Sequence, residues 1–416
     1  CGLTPLRIVE AQREARRIGL TPGRTAPLPR PGLSPSLRAM SDAFRLLHSA
    51  DLHLGRQFGN LPEAVRFRLI EARHQILPRL ARAARESGAR DILLAGDTFD
   101  SETPSAAVWK QALNAMAAAA DLRWWLLPGN HDSLAAEPLW EALARHAPPN
   151  LHLVVEPAPV DLAPGVVLLP APLPRRRPGR DLTRWMAEAA TPEGALRLGL
   201  AHGPVLDFAE EGSAADGTIA PDRARLAGLD YLALGDWHGA MQIDPRTAYS
   251  GTPEAEGFRH AGRGMALAVA LRPGALPEVA RLPLGQFHWA EVVLPLVPGL
   301  DPLAAFSALL PIDAAERRDH LLRIRASGRA SLAAHQALQR AAEDAAPDFA
   351  HFRLDTTALE VELAAGDLDS LDHSGALRNA AEALAAEAAD PTLPPETRRI
   401  AAGALTRLQA LLDTGA

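Results

Sequence analysis

The stretch FRLLHSADLHLG, residues 44–55, decides the fold. Its first six residues form a short apolar run, which predicts a buried strand. Asp51 and His53 follow in a loop that ends at Gly55, and residues 62–87 then carry apolar side chains at helical spacing. Strand, loop and helix in this order are typical of an α/β sheet, in which the loops at the carboxyl ends of the strands carry the functional residues.

The same order recurs along the following 200 residues or so. A helix is predicted over residues 104–120, and a hairpin over 264–271 and 278–283 ends the series. The other predicted strands lie at residues 91–95, 124–127, 151–155, 166–169, 196–201, 231–234 and at Tyr249. Strands that alternate with helices in this way predict an α/β fold class with a layered sheet.

The composition changes after His288. Three predicted strands alternate with two predicted helices there, at residues 290–295, 302–310, 320–326, 331–346 and 351–363. This pattern indicates a small α+β domain, and two amphipathic helices follow it over residues 375–389 and 396–412. We therefore predict three ordered parts, at residues 41–287, 288–365 and 366–416.

Residues 1–40 are predicted to be a disordered extension, because they are rich in proline and arginine and lack an apolar segment typical of a secretory signal. Met40 stands directly before the first predicted strand. Our hypothesis is that Met40 is the natural start and that the preceding residues do not belong to the native protein. A transit-like targeting segment is the alternative, and Glu10 and Glu14 interrupt it.

Charge and cysteine content exclude several classes of function. The net charge is −7, and residues 1–39 carry +5, so residues 40–416 carry −12. An acidic body argues against non-specific binding to polyanions, so a nucleic-acid partner would need a local basic surface or metal ions. The single cysteine, Cys1, excludes an internal disulfide and a thiolate metal cluster. The sequence contains no apolar run of about 18 residues, so it predicts no membrane span.

Five short segments place polar side chains directly after predicted strands. They are Asp51-x-His53, Gly96-Asp97-Thr98-Phe99-Asp100, Gly129-Asn130-His131-Asp132, Ala201-His202-Gly203 and Gly235-Asp236-Trp237-His238. Each segment alone is most often a turn, but five at successive strand ends indicate one shared site. Carboxylate, amide and imidazole groups suit Mn²⁺, Fe²⁺, Zn²⁺ or Mg²⁺, and seven candidate ligands are too many for one ion. A site with two such ions can activate a water molecule and hold a phosphate ester, so hydrolysis of a phosphoester is the predicted reaction.

The order of these segments and the residues within them resemble the motifs of the calcineurin-like metallophosphoesterase family. The residues around them, LHSADLHLG at 47–55, Pro128 before the Gly-Asn-His-Asp segment, and YSGTPE at 249–254, are similar to the SbcD and YhaO group of bacterial DNA repair exonucleases. The resemblance covers residues 44–290. It implies a layered metallophosphoesterase β-sandwich flanked by helices, and it makes the part after residue 288 a capping domain that helps to select DNA.

The resemblance also implies a role for each residue of the site. Asp51, His53, Asp97 and His238 would hold one ion, and Asp97 would bridge to a second ion held by Asn130, His202 and Asp236. His131 would act as the general acid or stabilise developing charge, oriented by Asp100. The family commonly has histidine where Asp236 stands, and a carboxylate there favours harder ions. We therefore expect two divalent ions, Mn²⁺ first, with Mg²⁺ or Fe²⁺ as alternatives.

The leading functional hypothesis is a metal-dependent DNA exonuclease or endonuclease of DNA repair, which works in the cytoplasm at the nucleoid. The partners that the resemblance implies are DNA and a coiled-coil ATPase of the SbcC or YhaN type, and a homodimer is a further expectation. Two alternatives stay open. One is a phosphodiesterase or phosphatase for small molecules such as cyclic nucleotides, and the other is a scaffold for the ATPase.

Three further features have a structural or a functional interpretation. Arg56, directly after the first motif, is the candidate for contact with a substrate phosphate. The basic run Arg175–Arg177, with Arg180 and Arg184 after it, is predicted to be a solvated loop, and contact with a phosphate backbone is the alternative. His48 lies within a strand and is predicted to be a core histidine.

Overall fold

The computed structural model describes residues 43–205, 217–297, 300–362 and 376–413. The extension predicted over residues 1–40 lies outside the described residues. The strands within these ranges are β1 (Phe44–Ser49), β2 (Asp91–Leu94), β3 (Arg123–Leu126), β4 (Leu151–Leu153), β5 (Val160–Ala163), β6 (Val166–Ala171), β7 (Leu196–His202), β8 (Tyr231–Gly235), β9 (Met241–Asp244), β10 (Thr247–Tyr249), β11 (Gly262–Leu271), β12 (Glu278–Leu296), β13 (His320–Ser331) and β14 (His351–Glu362).

The described helices are α1 (Glu63–His74), α2 (Ile76–Ser87), α3 (Ala106–Ala117), α4 (Glu137–His146), α5 (Arg223–Leu226), α6 (Pro302–Ser307), α7 (Ala314–Arg317), α8 (Leu332–Ala345), α9 (Ala376–Ala389) and α10 (Pro395–Asp413). None of them is long and apolar enough to span a membrane. The side chains of Asp301, Asp313 and Ser331 accept hydrogen bonds from the first backbone N–H groups of α6, α7 and α8, which fixes where these helices begin.

The described strands form two mixed sheets. The first has eight strands in the order β14-β13-β12-β11-β1-β2-β3-β4, and the second has six in the order β5-β6-β7-β8-β10-β9. Strands β1 to β4 run parallel, as do β6, β7, β8 and β10, so the carboxyl ends within each set lie at one edge. These are the strands whose ends carry the five polar segments.

The two sheets pack face to face over an apolar core. Leu46, Leu93 and Leu127 contribute to this core from the first sheet, and Leu198 and Tyr231 contribute from the second. The other face of the first sheet is covered by α2, α3 and α4, and helical segments around Met186 and Ala224 cover the second sheet. The predicted α/β sandwich flanked by helices is confirmed.

The long helix predicted over residues 62–87 is two helices in the structure. Gln75 separates α1 from α2, and Pro78 lies in the first turn of α2. Because proline has no N–H and its ring crowds the carbonyl four residues before it, one continuous helix cannot pass from residue 74 to residue 78. The helix α2 then ends at Gly88, whose φ of 73° suits glycine.

The part after residue 288 shares a sheet with the part before it. Strand β12 is 19 residues long and runs through residue 288, although the sequence predicted two separate strands at 278–283 and 290–295. Its first half pairs with β11 and its second half with β13. A core of its own, which includes Leu294, Phe306 and Ile324, lies beneath α6 and α8. The division into domains at residue 288 therefore stays a prediction.

Candidate metal centre

The carboxyl ends of both sheets meet at one site. A hydrogen bond between Nδ1 of His202, at the end of β7, and the carbonyl oxygen of Ala95, after β2, spans 2.8 Å and joins the two layers. Within the first sheet, the backbone N–H of Asp51 donates to Gly96 O, and that of His53 donates to Asp97 O. These contacts bring the ends of β1, β2 and β7 together, as the sequence predicted for one shared site.

Four of the seven predicted ligands have left-handed backbone conformations. The φ angles are 54° at Asp51, 44° at His53, 53° at Asp97 and 102° at Asp236. Residues other than glycine seldom adopt positive φ, and such strain persists only where the surrounding structure holds it in place. The strained backbone turns these side chains towards one another, and its concentration here marks a functional site.

The glycines of the motifs allow the backbone segments to approach closely. A Cβ atom added to Gly129 would lie 2.1 Å from Oδ1 of Asp97, and one added to Gly96 would lie 2.3 Å from Nδ1 of His202. At Gly235, an added Cβ would lie 2.0 Å from the carbonyl oxygen of Ala95. All three positions therefore exclude any larger residue.

The imidazoles direct nitrogen atoms into the centre of the site. Nε2 of His53 lies 3.4 Å from Nε2 of His238, and Nε2 of His202 lies 3.5 Å from Oδ2 of Asp97. Because the carbonyl of Ala95 can only accept, Nδ1 of His202 carries the proton in its neutral form and Nε2 keeps a lone pair. Among the described residues, no hydrogen-bond partner reaches this buried Nε2 or the buried Oδ1 of Asn130.

The carboxylates of the site are largely buried. Burial raises the pKa of Asp51 to about 7 and raises the pKa of Asp236 as well. Burial acts to lower the pKa of His202, but the neighbouring carboxylates, Asp97 above all, outweigh it and raise this pKa to about 9. Bare carboxylates are therefore costly at this place, and a bound cation would offset that cost.

The residues present fit divalent metal ions. Ligand atoms of Asp51, His53 and His238 lie within 4.8 Å of one another, as do those of Asp51, Asp97 and His202. Asn130 lies beside the second group, because its amide donates to Oδ1 of Asp236 at 3.1 Å. The unpartnered nitrogen of His202 and amide oxygen of Asn130 are the donor atoms that a cation would engage. The structure thus brings all seven predicted ligands into one cluster.

The His131 imidazole contacts the backbone carbonyl of Asp100, and not its carboxylate as the sequence predicted. Its Nδ1 donates to the backbone carbonyl of Asp100 at 2.8 Å, whereas the Asp100 carboxylate lies 3.3 Å from Nδ1 of His53 and 3.3 Å from Nη1 of Arg56. The carboxylate is drawn to these two partners, so the main chain of Asp100 orients His131. The backbone N–H of His131 also donates to Oδ1 of Asp97 at 2.8 Å.

Arg56 lies at the site and is already engaged by carboxylates. Its guanidinium is 3.3 Å from Asp100 and 3.4 Å from Glu256, and its side chain keeps 34% of its exposure. A phosphate could reach the exposed part. The proposed contact with substrate therefore stays a prediction, since the structure assigns Arg56 first to the two acidic side chains.

Glu256 and Arg73 belong to the site and were missed from the sequence. The Glu256 carboxylate lies 2.6 Å from Nδ1 of His238. Burial acts to raise the pKa of Glu256, but this hydrogen bond and the nearby Arg73 outweigh burial and hold that pKa well below its usual range. Arg73, on α1, is buried and donates to the backbone carbonyls of Leu52 and Glu254. The adjacent segment YSGTPE was a signal in the sequence, but it stops two residues before Glu256.

Two polar residues support the loops from beneath. Asp132 is fully buried, and its two carboxylate oxygens accept from the N–H groups of Gly129 and Phe99, so it braces the loops after β2 and β3 against each other. His48 is buried between the Tyr231 hydroxyl and the Leu234 carbonyl, which confirms the prediction of a core histidine.

Comparison with known proteins bears on residues 44–240, which match the calcineurin-like phosphoesterase family. All seven predicted ligands lie within that range. Among solved structures, the crystal structure of TT1561 of Thermus thermophilus is similar over 54% of this chain and 94% of its own length, with 12% identity and a TM-score of 0.34. No curated protein matches the chain.

Proposed function

We propose that this chain is a metal-dependent hydrolase, because residues 44–240 match the calcineurin-like phosphoesterase family, and that its substrate is DNA, which makes it an exonuclease or endonuclease of DNA repair. The proposal includes Mn²⁺ as the metal, DNA and a coiled-coil ATPase of the SbcC or YhaN type as partners, a homodimer as the further expectation of assembly, and a location at the nucleoid.

The observation that carries the proposal is the way the segment after β10 joins the site to the capping part. The Glu254 carboxylate accepts from the backbone N–H groups of Gln286 and Phe287, where β12 approaches the capping part, and it pairs with Arg79 at 3.0 Å. Two residues later, Glu256 contacts His238. The segment that resembles the nuclease group thus connects the site directly to the long strand. This contact supports the proposal, because it couples the metal centre to the part of the chain that the resemblance makes a DNA-selecting cap.

The chain's own residues supply the positioning and proton transfer. Divalent ions, when bound by Asp51, His53, Asp97, Asn130, His202, Asp236 and His238, would activate a water molecule and neutralise charge on the phosphate. Nδ1 of His131 donates its proton to the Asp100 carbonyl, which leaves Nε2 facing away from that contact. In the imidazolium form Nε2 carries a second proton, and this is the proton that would pass to the leaving oxygen, after which the ring is neutral.

The proposed acid lies directly beside the predicted ligands. Ligand atoms of His131, His53 and Asp100 lie within 4.8 Å of one another, and the backbone N–H of His131 donates to the carboxylate of Asp97. The bond to Asp97 fixes the backbone of His131, and the bond from Nδ1 to the Asp100 carbonyl fixes its ring, so the imidazole is held next to the metal centre. A group that is fixed in this way needs little reorganisation before it transfers a proton.

The experiment is a comparison of substrates in Mn²⁺: end-labelled single-stranded DNA, end-labelled duplex DNA, a cyclic nucleotide and an aryl phosphodiester. Cleavage of DNA in preference to the cyclic nucleotide supports the proposal. Cleavage of the small esters without cleavage of DNA rejects it in favour of a small-molecule phosphodiesterase. Hydrolysis of none of the four, by protein that binds Mn²⁺, favours the scaffold.

A further inference from the structure

The loop after β6 carries an exposed cluster of positive charge. We call residues Pro174–Arg180 the arginine loop; its guanidinium groups belong to Arg175, Arg176, Arg177 and Arg180, and all four side chains are exposed. The sequence alone favoured a solvated loop here. Its position in the fold adds information that the sequence lacks.

The arginine loop lies at the same edge of the sandwich as the metal centre. It follows β6, whose last residue, Ala171, pairs with Ala201 of β7. The next residue of β7 is His202, a predicted ligand. Since β6 and β7 run parallel, the chain leaves both strands at the edge where the five polar segments meet.

Backbone hydrogen bonds hold the start of this loop against the segment that carries His131. Leu173 donates from its N–H to Pro128 O at 3.5 Å and accepts from the N–H of Leu134 at 3.0 Å. Pro128 and Leu134 flank the Gly-Asn-His-Asp segment on its two sides. Arg175 follows Leu173 by two residues, which span about 7 Å at most. The arginine loop therefore borders the part of the site where His131 lies.

The positive charge of the loop is not neutralised within the described chain. Asp181, the nearest acidic residue in sequence, pairs with Arg223 at 2.6 Å and accepts from Thr183. In the ranges that the structure describes, no carboxylate lies within 4.0 Å of the four guanidinium groups, and Arg175 contacts only the carbonyl of Pro178, at 3.4 Å. Four like charges over six residues repel one another, and a polyanion would relieve this repulsion.

We propose that the arginine loop binds backbone phosphates of the nucleic-acid strand on the His131 side of the metal centre. The inference rests on the proposed function and extends it, because it assigns the substrate an extended chain of phosphates. A cyclic nucleotide carries one phosphate, which the metal ions, when bound, would engage, so it would leave no phosphate for the four arginines to bind. A local basic surface would also allow a chain whose residues 40–416 carry a net negative charge to bind a polyanionic substrate.

The test compares two triple variants of the full chain. One is Arg175→Gln/Arg176→Gln/Arg177→Gln. The matched control is Arg82→Gln/Arg90→Gln/Arg145→Gln, which removes the same charge from exposed arginines on α2, before β2 and near the end of α4. For each protein, kcat and KM are measured in Mn²⁺ with a single-stranded oligonucleotide and with an aryl phosphodiester. Binding of a fluorescent oligonucleotide is measured by anisotropy at several salt concentrations.

The expected result is an increase in KM for the oligonucleotide of about tenfold and a decrease of about 2 in the slope of log K against log salt, because each phosphate contact in a single strand contributes about 0.7 to that slope. Hydrolysis of the aryl phosphodiester stays unchanged, and the control variant behaves as wild type. An unchanged KM and slope in the loop variant, with wild type still cleaving DNA, overturns the inference alone. Wild type that cleaves only the aryl ester overturns the proposed function, and the inference with it.

Discussion

The Glu256 carboxylate lies 2.6 Å from Nδ1 of His238, and Nε2 of the same imidazole faces His53 across 3.4 Å. A carboxylate on one ring nitrogen fixes the orientation of the ring and makes the other nitrogen a better metal ligand. Glu256 is therefore a positioning residue of the predicted metal centre, and it acts through His238.

Replacement of this carboxylate gives the first prediction. In Glu256→Gln, the affinity for Mn²⁺ falls by a factor of about 10 to 100, because His238 loses the group that aligns it. Titration of metal-free protein by calorimetry measures this directly, without reference to activity. Glu360→Gln, at an exposed residue of β14, is the matched control and keeps the wild-type affinity. Equal affinities in the two variants would show that Glu256 does not support the metal ligands.

The second prediction concerns His131. In His131→Asn, DNA hydrolysis falls by a factor of about 100 to 10,000, since the variant loses the group that transfers the proton. Mn²⁺ binding stays at the wild-type level because His131 is not among the predicted ligands. His146→Asn, at an exposed histidine of α4, serves as the control. Retention of full activity in His131→Asn would discard the proposed acid.

The third prediction follows from the closeness of two loops. In Gly129→Ala, the new Cβ atom would lie 2.1 Å from Oδ1 and 2.3 Å from the backbone N of Asp97, so the loop after β3 must move away from Asp97. We expect a loss of about 1–3 kcal/mol in stability and loss of the rise in Tm that Mn²⁺ produces. In Gly59→Ala the added atom meets nothing within 4 Å, so both quantities stay at wild-type values. A normal Mn²⁺-dependent rise in Tm for Gly129→Ala would contradict the close approach of Gly129 to Asp97.

The fourth prediction concerns pH and the core histidine. Burial lowers the pKa of His48 to about 3, against about 6.5 in the unfolded chain. The contribution of this ring to the free energy of unfolding is therefore complete above pH 6.5. It is lost as the pH falls from 6.5 towards 3, because in that range the ring binds a proton in the unfolded state but not in the folded state. The free energy of unfolding falls by up to about 1.4 kcal/mol per pH unit for this one group.

Urea denaturation at pH 7.5, 6.5 and 5.5 measures that dependence. The variant His48→Gln is less stable at every pH, but its stability falls less steeply below pH 6.5 than that of wild type. His146→Gln keeps the wild-type slope, since that ring is exposed. The same dependence of unfolding free energy on pH in His48→Gln and in wild type would refute the lowered pKa of His48.

The sequence predicted the sandwich correctly, because strand patterns are local. For the same reason it placed the candidate ligands at strand ends, which the structure brings together, while their role as metal ligands stays a prediction. Strand β1 has the predicted bounds, and each ligand follows a strand whose apolar run is unambiguous. What the sequence could not reveal depends on contacts between distant segments. Arg73 looks like an ordinary helical arginine, and its burial beneath Leu52 and Glu254 follows only from the packing of α1.

The orientation of His131 was missed for a related reason. The sequence can suggest that an imidazole has a partner, and a carboxylate in the same motif is the natural candidate. Whether the side chain or the main chain of Asp100 makes the contact depends on where Arg56 and His53 lie, since both attract the carboxylate. The short strands β5 and β9 and the helix α4 were also missed. The strands are four residues each, so little periodicity supports them.

The length of β12 has a practical consequence for dissecting this protein. A chain cut after residue 287 would lose the second half of that strand together with β13 and β14, and the fragment that starts at residue 288 would begin in the middle of a ladder. Each fragment would present unpaired backbone N–H and C=O groups along a newly exposed strand, which is a template for aggregation. The two regions are thus best studied within one polypeptide, with point substitutions in place of truncations.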